Sequence, residues 1–96
     1  MAHYKSEYEN YIMVCQSTKM LRGTYPAFLK TKALMSTLTS MAQKQANTYT
    51  YNGELYVSKL TNSEILNIQS AFDYGTYNSS IEKLKYIFID IGDRLF

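Results

Sequence analysis

The chain has no tryptophan, one cysteine, one proline and one histidine among its 96 residues. Each scarcity removes a class of function. A lone Cys15 cannot close an intramolecular disulfide, which fits a reducing, cytoplasmic setting. Structural zinc needs four Cys or His at paired spacing. Cys15 and His3 cannot supply that set, so no metal and no other cofactor is expected. Cys15 as a nucleophile would need a neighbouring base. His3 lies about three helical turns upstream and is offset in angle. Cys15 also falls on an apolar stripe, where a free cysteine acts as a small hydrophobe.

Glycine is equally sparse. Gly23, Gly53, Gly75 and Gly92 stand singly at the ends of candidate elements, so no glycine-rich loop can cradle a phosphate. Acid pairs do not converge either. Glu7 and Glu9 point to different sides of a helix, and Asp90 and Asp93 share no apolar setting that would tune one of them as a general acid. No catalytic residue is expected, and the chain reads as a non-enzyme. Long hydrophobic runs are missing too. Tyr86-Ile87-Phe88-Ile89 is cut by Asp90 and is far too short to cross a bilayer, and the polar start from Met1 to Glu7 lacks the apolar core of a signal peptide. No membrane association is expected.

Negative charge is absent from Asn10 through Gly53. That window holds Lys19, Arg22, Lys30, Lys32 and Lys44. From Thr48 onward four cations stand against six acids, a net of −2, while the first half carries +4. The asymmetry points to an anionic partner for the first half. The plain alternative is a set of solvated lysines on exposed helix faces.

What remains is apolar and aromatic. Hydrophobic residues are 46% and charged residues 19%, a globular balance. A chain of this length makes one domain, here residues 1–96, and buries roughly 60–65% of its unfolded surface. Tyrosine is plentiful, with 10 residues. Its ring suits a small core and its hydroxyl tolerates water, so it also suits an interface.

The spacing of apolar residues predicts a first helix over 6–21. Tyr4, Tyr8, Tyr11, Ile12 and Cys15 share one face, and Gly23 is placed to close the helix in a left-handed conformation. A second helix is expected over 26–45, opened by Pro26, with Ala27, Phe28, Leu34, Met35, Leu38, Met41 and Ala42 in one sector. Asn52-Gly53 is the strongest short-range hairpin signal, because both positions tolerate positive φ. It pairs Tyr51 with Glu54, Thr50 with Leu55, Tyr49 with Tyr56 and Thr48 with Val57. Tyr49, Tyr51 and Tyr56 then share one face, and Thr48, Thr50, Leu55 and Val57 share the other. Leu55 and Val57 are expected to pack inward and the three tyrosines to be at least half exposed; the reverse orientation is the alternative, since tyrosine also packs well in cores.

Thr61-Asn62-Ser63-Glu64 is a capping box, with Leu60 and Ile65 spaced as a hydrophobic staple. Gly75 ends that third helix. Ser79-Ser80-Ile81-Glu82 repeats the pattern and favours helix over strand for the segment through Ile91. The expected fold class is α+β, a small single domain ordered α-α-β-β-α-α, with one antiparallel hairpin packed on helices.

With so few reactive groups, the expected activity is protein binding. Tyr, Met and Phe concentrate at recognition surfaces, and the hairpin offers edge strands that a partner protein or a second copy can cover. A homodimer joined along that edge, or through the first helix, is the simplest assembly. The candidate binding residues are Tyr49, Tyr51 and Tyr56, with Lys30 and Lys32 at the rim. The Lys-, Asn-, Ser- and Tyr-rich, Trp-free composition resembles that of small accessory proteins of phages and mobile elements. That resemblance covers no specific residues. It implies a viral or phage inhibitor that binds a host or defence complex stoichiometrically. The alternative is nucleic-acid binding, with residues 61–91 as a helix-turn-helix-like pair and the basic first half on phosphates.

Overall fold

The computed structural model describes residues 6–92. Tyr4 on the predicted first stripe, and His3, Asp93 and Arg94, lie outside the described residues. The elements run α1 (Glu7–Cys15), α2 (Tyr25–Gln43), β1 (Thr48–Tyr51), β2 (Glu54–Val57), α3 (Asn62–Tyr74), a 3₁₀ turn (Ser79–Lys83) and α4 (Leu84–Ile91). The class is α+β, in the expected order of two helices, a hairpin and two helices.

Local chemistry accounts for the helix starts. Ser6 opens α1 with a capping box: the Glu9 N–H donates to Ser6 Oγ at 3.2 Å, and the Ser6 N–H donates to Glu9 Oε1 at 2.9 Å. The Thr61 box opens α3 the same way, at 3.1 Å and 2.9 Å. Thr24 caps α2, with Pro26 in the first turn where its missing N–H breaks no bond.

The first helix is shorter than its periodicity predicts. It stops at Cys15 rather than Leu21. Gln16-Ser17-Thr18 follow, and the Thr18 side chain competes for a backbone group: the Met20 N–H donates to Thr18 Oγ1 at 3.2 Å. Gly23 does not take a left-handed conformation. Two tyrosines of α1 hold this connection instead. Tyr11 donates to the Arg22 carbonyl at 2.5 Å and Tyr8 to the Gly23 carbonyl at 3.0 Å. The second helix ends at Gln43, two residues early, because Gln45 adopts φ 56° and closes it. The Gln45 N–H then donates to the Ala42 carbonyl and the Ala46 N–H to the Met41 carbonyl, a Schellman closure without glycine. Before α4, Asn78 rather than Ser79 is the cap, and one 3₁₀ turn precedes the α-helix.

One core joins every element. Val14, Leu34, Leu38, Ile65, Ile68, Ile81, Leu84 and Ile87 are fully or almost fully buried. An aromatic cluster welds α1 to its neighbours: Tyr11 lies 5.4 Å from Phe28 of α2 and 5.9 Å from Phe72 of α3, ring centre to ring centre. Such pairs contribute about 0.5–1.5 kcal/mol each beyond the area they bury.

The hairpin has the expected register and the opposite orientation. Thr48↔Val57, Tyr49↔Tyr56, Thr50↔Leu55 and Tyr51↔Glu54 are partners, joined through Asn52 and Gly53 at φ 52° and 81°. Yet Tyr49 is buried at 4% exposure, and Tyr51 and Tyr56 are half-buried against the core, while Leu55 and Val57 are 72% and 62% exposed. The physical reason is size. Each aromatic ring can remove about 150–250 Å² from water, so the three rings of Tyr49, Tyr51 and Tyr56 together offer more than one Leu and one Val flanked by threonines. Tyr49 and Tyr56 also stack at 5.4 Å on the covered face.

Gly75 is where α1 meets the end of α3. It sits at φ 65°, and a Cβ there would lie 2.8 Å from Asn10 Oδ1 and 3.3 Å from Asn10 Cα. Asn10 itself donates to the Asp73 carbonyl at 2.9 Å. Gly75→Ala is expected to cost about 2 kcal/mol, from left-handed strain plus the clash. Urea unfolding checks it, and a loss under about 0.5 kcal/mol would mean that the contact is not as close as described.

Candidate functional site

The outward face of the hairpin is the most apolar exposed strand surface among the described residues. Its geometry follows from pair parity. Residues flanking a two-residue turn exchange both backbone bonds, so Tyr51↔Glu54 and Tyr49↔Tyr56 are hydrogen-bonded pairs. The Ser58 N–H donates to the Asn47 carbonyl at 2.8 Å and continues the alternation. Thr50↔Leu55 and Thr48↔Val57 are the other kind of pair. Their N–H and C=O groups therefore point away from the hairpin, along its two edges. The edges differ in access, because β1, not β2, is the strand that packs along α2. Leu55 and Val57 thus bring exposed side chains and outward backbone groups together on the freer edge.

That face runs into a shallow cleft of about 420 Å³, bordered by Thr48, Thr50 and Leu55 on the hairpin, Thr37 and Ser40 on α2, and Lys44 just past its end. Lys44 supplies a cation at the border of this cleft. Lys30 and Lys32, expected at the rim, do not join it. They lie about 14–17 Å back along α2 from Met41, at 1.5 Å per residue. Both are exposed, and Lys32 pairs with Glu7 at 3.1 Å.

The three tyrosines form a packed layer rather than an open platform, which corrects the expected exposure of Tyr49, Tyr51 and Tyr56. Burial, reinforced by the nearby Asp90 and Tyr56, pushes the Tyr49 phenol up to about 12. Its hydroxyl is buried without a hydrogen-bond partner among the described residues. Tyr56 is raised by desolvation and by Glu54, whose Oε2 accepts from its hydroxyl at 3.4 Å.

Elsewhere the polar groups are mostly engaged. In the helix pair of residues 61–91, Lys83 is tied to Glu64, and the Lys85 ammonium lies 5.2 Å over the Tyr86 ring. A larger open groove of about 1150 Å³ lies between α2 and α3 and reaches α1. Phe28, Thr31 and Met35 are among its lining residues, as are Thr39, Gln69 and Asp73. The Thr39 hydroxyl donates to Gln69 Oε1 at 3.3 Å, and Gln69 Nε2 donates to Asp73 Oδ1 at 2.8 Å. Thr31 is buried beside the Tyr11 phenol without a well-formed hydrogen bond. It stands where the apolar stripe of α2 calls for a hydrophobe, the one signal by which the sequence marks this groove. Burial pushes the Cys15 thiol above its ordinary value, which makes thiolate scarcer at neutral pH. Among the described residues no three His, Cys, Asp or Glu side chains gather as a metal set, and no helix is long and apolar enough to cross a membrane.

Two substitutions separate the ring of Tyr49 from its hydroxyl. Tyr49→Phe removes an unpaired buried hydroxyl and is expected to stabilise the fold by about 1 kcal/mol at pH 7. Tyr49→Ala is expected to cost about 3 kcal/mol or more. Because the folded state holds Tyr49 protonated up to about 12, its contribution is complete below the ordinary tyrosine value near 10 and is lost as pH rises through 12. Unfolding curves of Tyr49→Phe should therefore fall less steeply with pH between about 10 and 12 than those of the wild type. Equal slopes would place the phenol in water. No family model matches the chain, and comparison with curated proteins and with solved structures finds no similar sequence or fold.

Proposed function

We propose that this protein is a non-enzymatic binding domain that captures another protein on the outer face of its hairpin. One observation carries the reading. Leu55 and Val57 are 72% and 62% exposed on an edge strand whose outward backbone groups have no partner strand among the described residues. A partner segment in extended conformation would gain main-chain hydrogen bonds from the edge and apolar contact from the two side chains. Thr48, Thr50 and Lys44 supply a polar border, the usual surround of an apolar anchor.

The phage-like composition favours a specific form of that activity: stoichiometric inhibition of a host or defence complex in the cytoplasm, where Cys15 stays a free thiol. Nucleic-acid binding is the weaker reading, since Lys83 and Lys85 are engaged by Glu64 and Tyr86 within the helix pair.

The test compares baits. Wild-type protein and L55D/V57D, immobilised at equal density, are exposed to host extract, and the retained proteins are quantified by mass spectrometry. Both substituted positions face water, so the circular dichroism spectrum should not change. A protein retained by the wild type and reduced about 30-fold or more by the double variant, equivalent to about 2 kcal/mol, is the expected result. Identical retained sets with the fold intact would remove the hairpin face from the binding surface.

A further inference from the structure

We infer that the β2 edge is built to pair with a second copy of this chain, antiparallel about a twofold axis at Tyr56. The inference rests on the reading of the hairpin face as the recognition surface, and it names the first partner. Three features of β2 carry it: the parity of its backbone, the distribution of its side chains and the placement of its charges.

Parity comes first. On β2 the outward N–H and C=O groups belong to Leu55 and Val57, because Glu54 and Tyr56 spend theirs on β1. A second β2 can bond to this edge only in a register that sets outward residue against outward residue. The register that pairs Leu55 with Val57 of the second copy, and Val57 with Leu55, uses both residues on each chain and gives four backbone hydrogen bonds. A shift of one residue would set Leu55 against an inward-bonded residue and lose them all. A shift of two leaves Leu55 or Val57 facing its own copy and the other facing a residue beyond the strand.

The side chains agree with that register. On the outer face each Leu55 would stand opposite Val57 of the other copy, so two exposed apolar side chains per chain become two cross-strand apolar pairs. On the inner face Tyr56 would meet its own copy at the axis. Tyr49 and Tyr56 already stack at 5.4 Å within one chain, so the two hairpins would make a four-stranded sheet crossed by one row of four tyrosines. Glu54 would face Ser58 of the other copy and Lys59 would face Gly53, so no charged residue opposes its own kind. The edge also lacks the usual guards: neither proline nor lysine occurs within β2. Its four-residue length keeps the interface small, so association in the micromolar-or-weaker range is expected.

Sedimentation equilibrium on the purified protein, from about 1 µM to about 1 mM, tests this without any partner. The wild type should move from 11.1 kDa toward twice that mass as concentration rises. L55K/V57K and L55E/V57E should each stay monomeric over the whole range, and their equimolar mixture should dimerise again, because the register sets every lysine against a glutamate. A wild type that stays at 11.1 kDa at the highest concentration, a dimer that survives L55K/V57K, or a mixture that fails to associate would each overturn the inference. The outcomes are separable from those of partner capture. A monomeric protein that still captures a partner through Leu55 and Val57 rejects only the self-pairing. A dimer with an unaltered set of captured proteins rejects only the capture.

Discussion

The Asn52-Gly53 turn is the constraint on which the surface of this protein depends. Both residues hold positive φ, and a two-residue turn of that kind permits one register. In a strand, register and face are the same decision, because side chains alternate with a period of two. Once Tyr51 and Glu54 flank the turn, Tyr49 and Tyr56 must share a side, and Leu55 and Val57 must share the other. The same decision sorts the backbone. Residues on the tyrosine side spend their N–H and C=O groups within the hairpin, and residues on the Leu55 side send theirs outward. Apolar side chains and outward-facing main-chain groups coincide on β2 for that reason.

The helices supply the other half of the arrangement. A two-stranded ribbon is marginal in water unless one face is covered, and here β1 packs along the C-terminal part of α2. The opposite end of α2 is gripped by the ring contacts of Tyr8, Tyr11 and Tyr25 with Phe28. One long helix therefore links the aromatic cluster that anchors α1 to the strands that carry the candidate surface. The arrangement separates duties: tyrosine stabilises both ends of α2, and the outer hairpin face is left to two aliphatic residues. A recognition surface on a ribbon backed by a helix is better held than one on a free loop, which reduces the ordering cost of binding.

Much of this was legible in the sequence wherever local chemistry decides. The Thr61 capping box, the Asn52-Gly53 turn, the strand register and the helical state of the segment ending at Ile91 follow from residues within a few positions of each other. What was not legible depends on tertiary competition. Two faces of the hairpin were apolar enough to be covered, and the choice between them rests on how much ring area α2 can receive, which no local pattern records. The overrun of the first helix has a similar origin. Leu21 keeps the periodicity and is buried, but it reaches the core from a connection pinned by the hydroxyls of Tyr8 and Tyr11 rather than from a helix. Tyr49, Tyr51 and Tyr56 lie on the covered face of the hairpin rather than the exposed one, and charge alone does not bring Lys30 and Lys32 into contact with it.

The orientation of the hairpin is the central claim, and nitration of tyrosines in the native protein, mapped by peptide mass spectrometry, tests it most directly. Tyr74, 79% exposed on α3, should react readily, and Tyr49 should stay unmodified until the protein is unfolded. Modification of Tyr49 in the folded protein at the rate of Tyr74 would turn the hairpin over, return Leu55 and Val57 to the core and contradict the account.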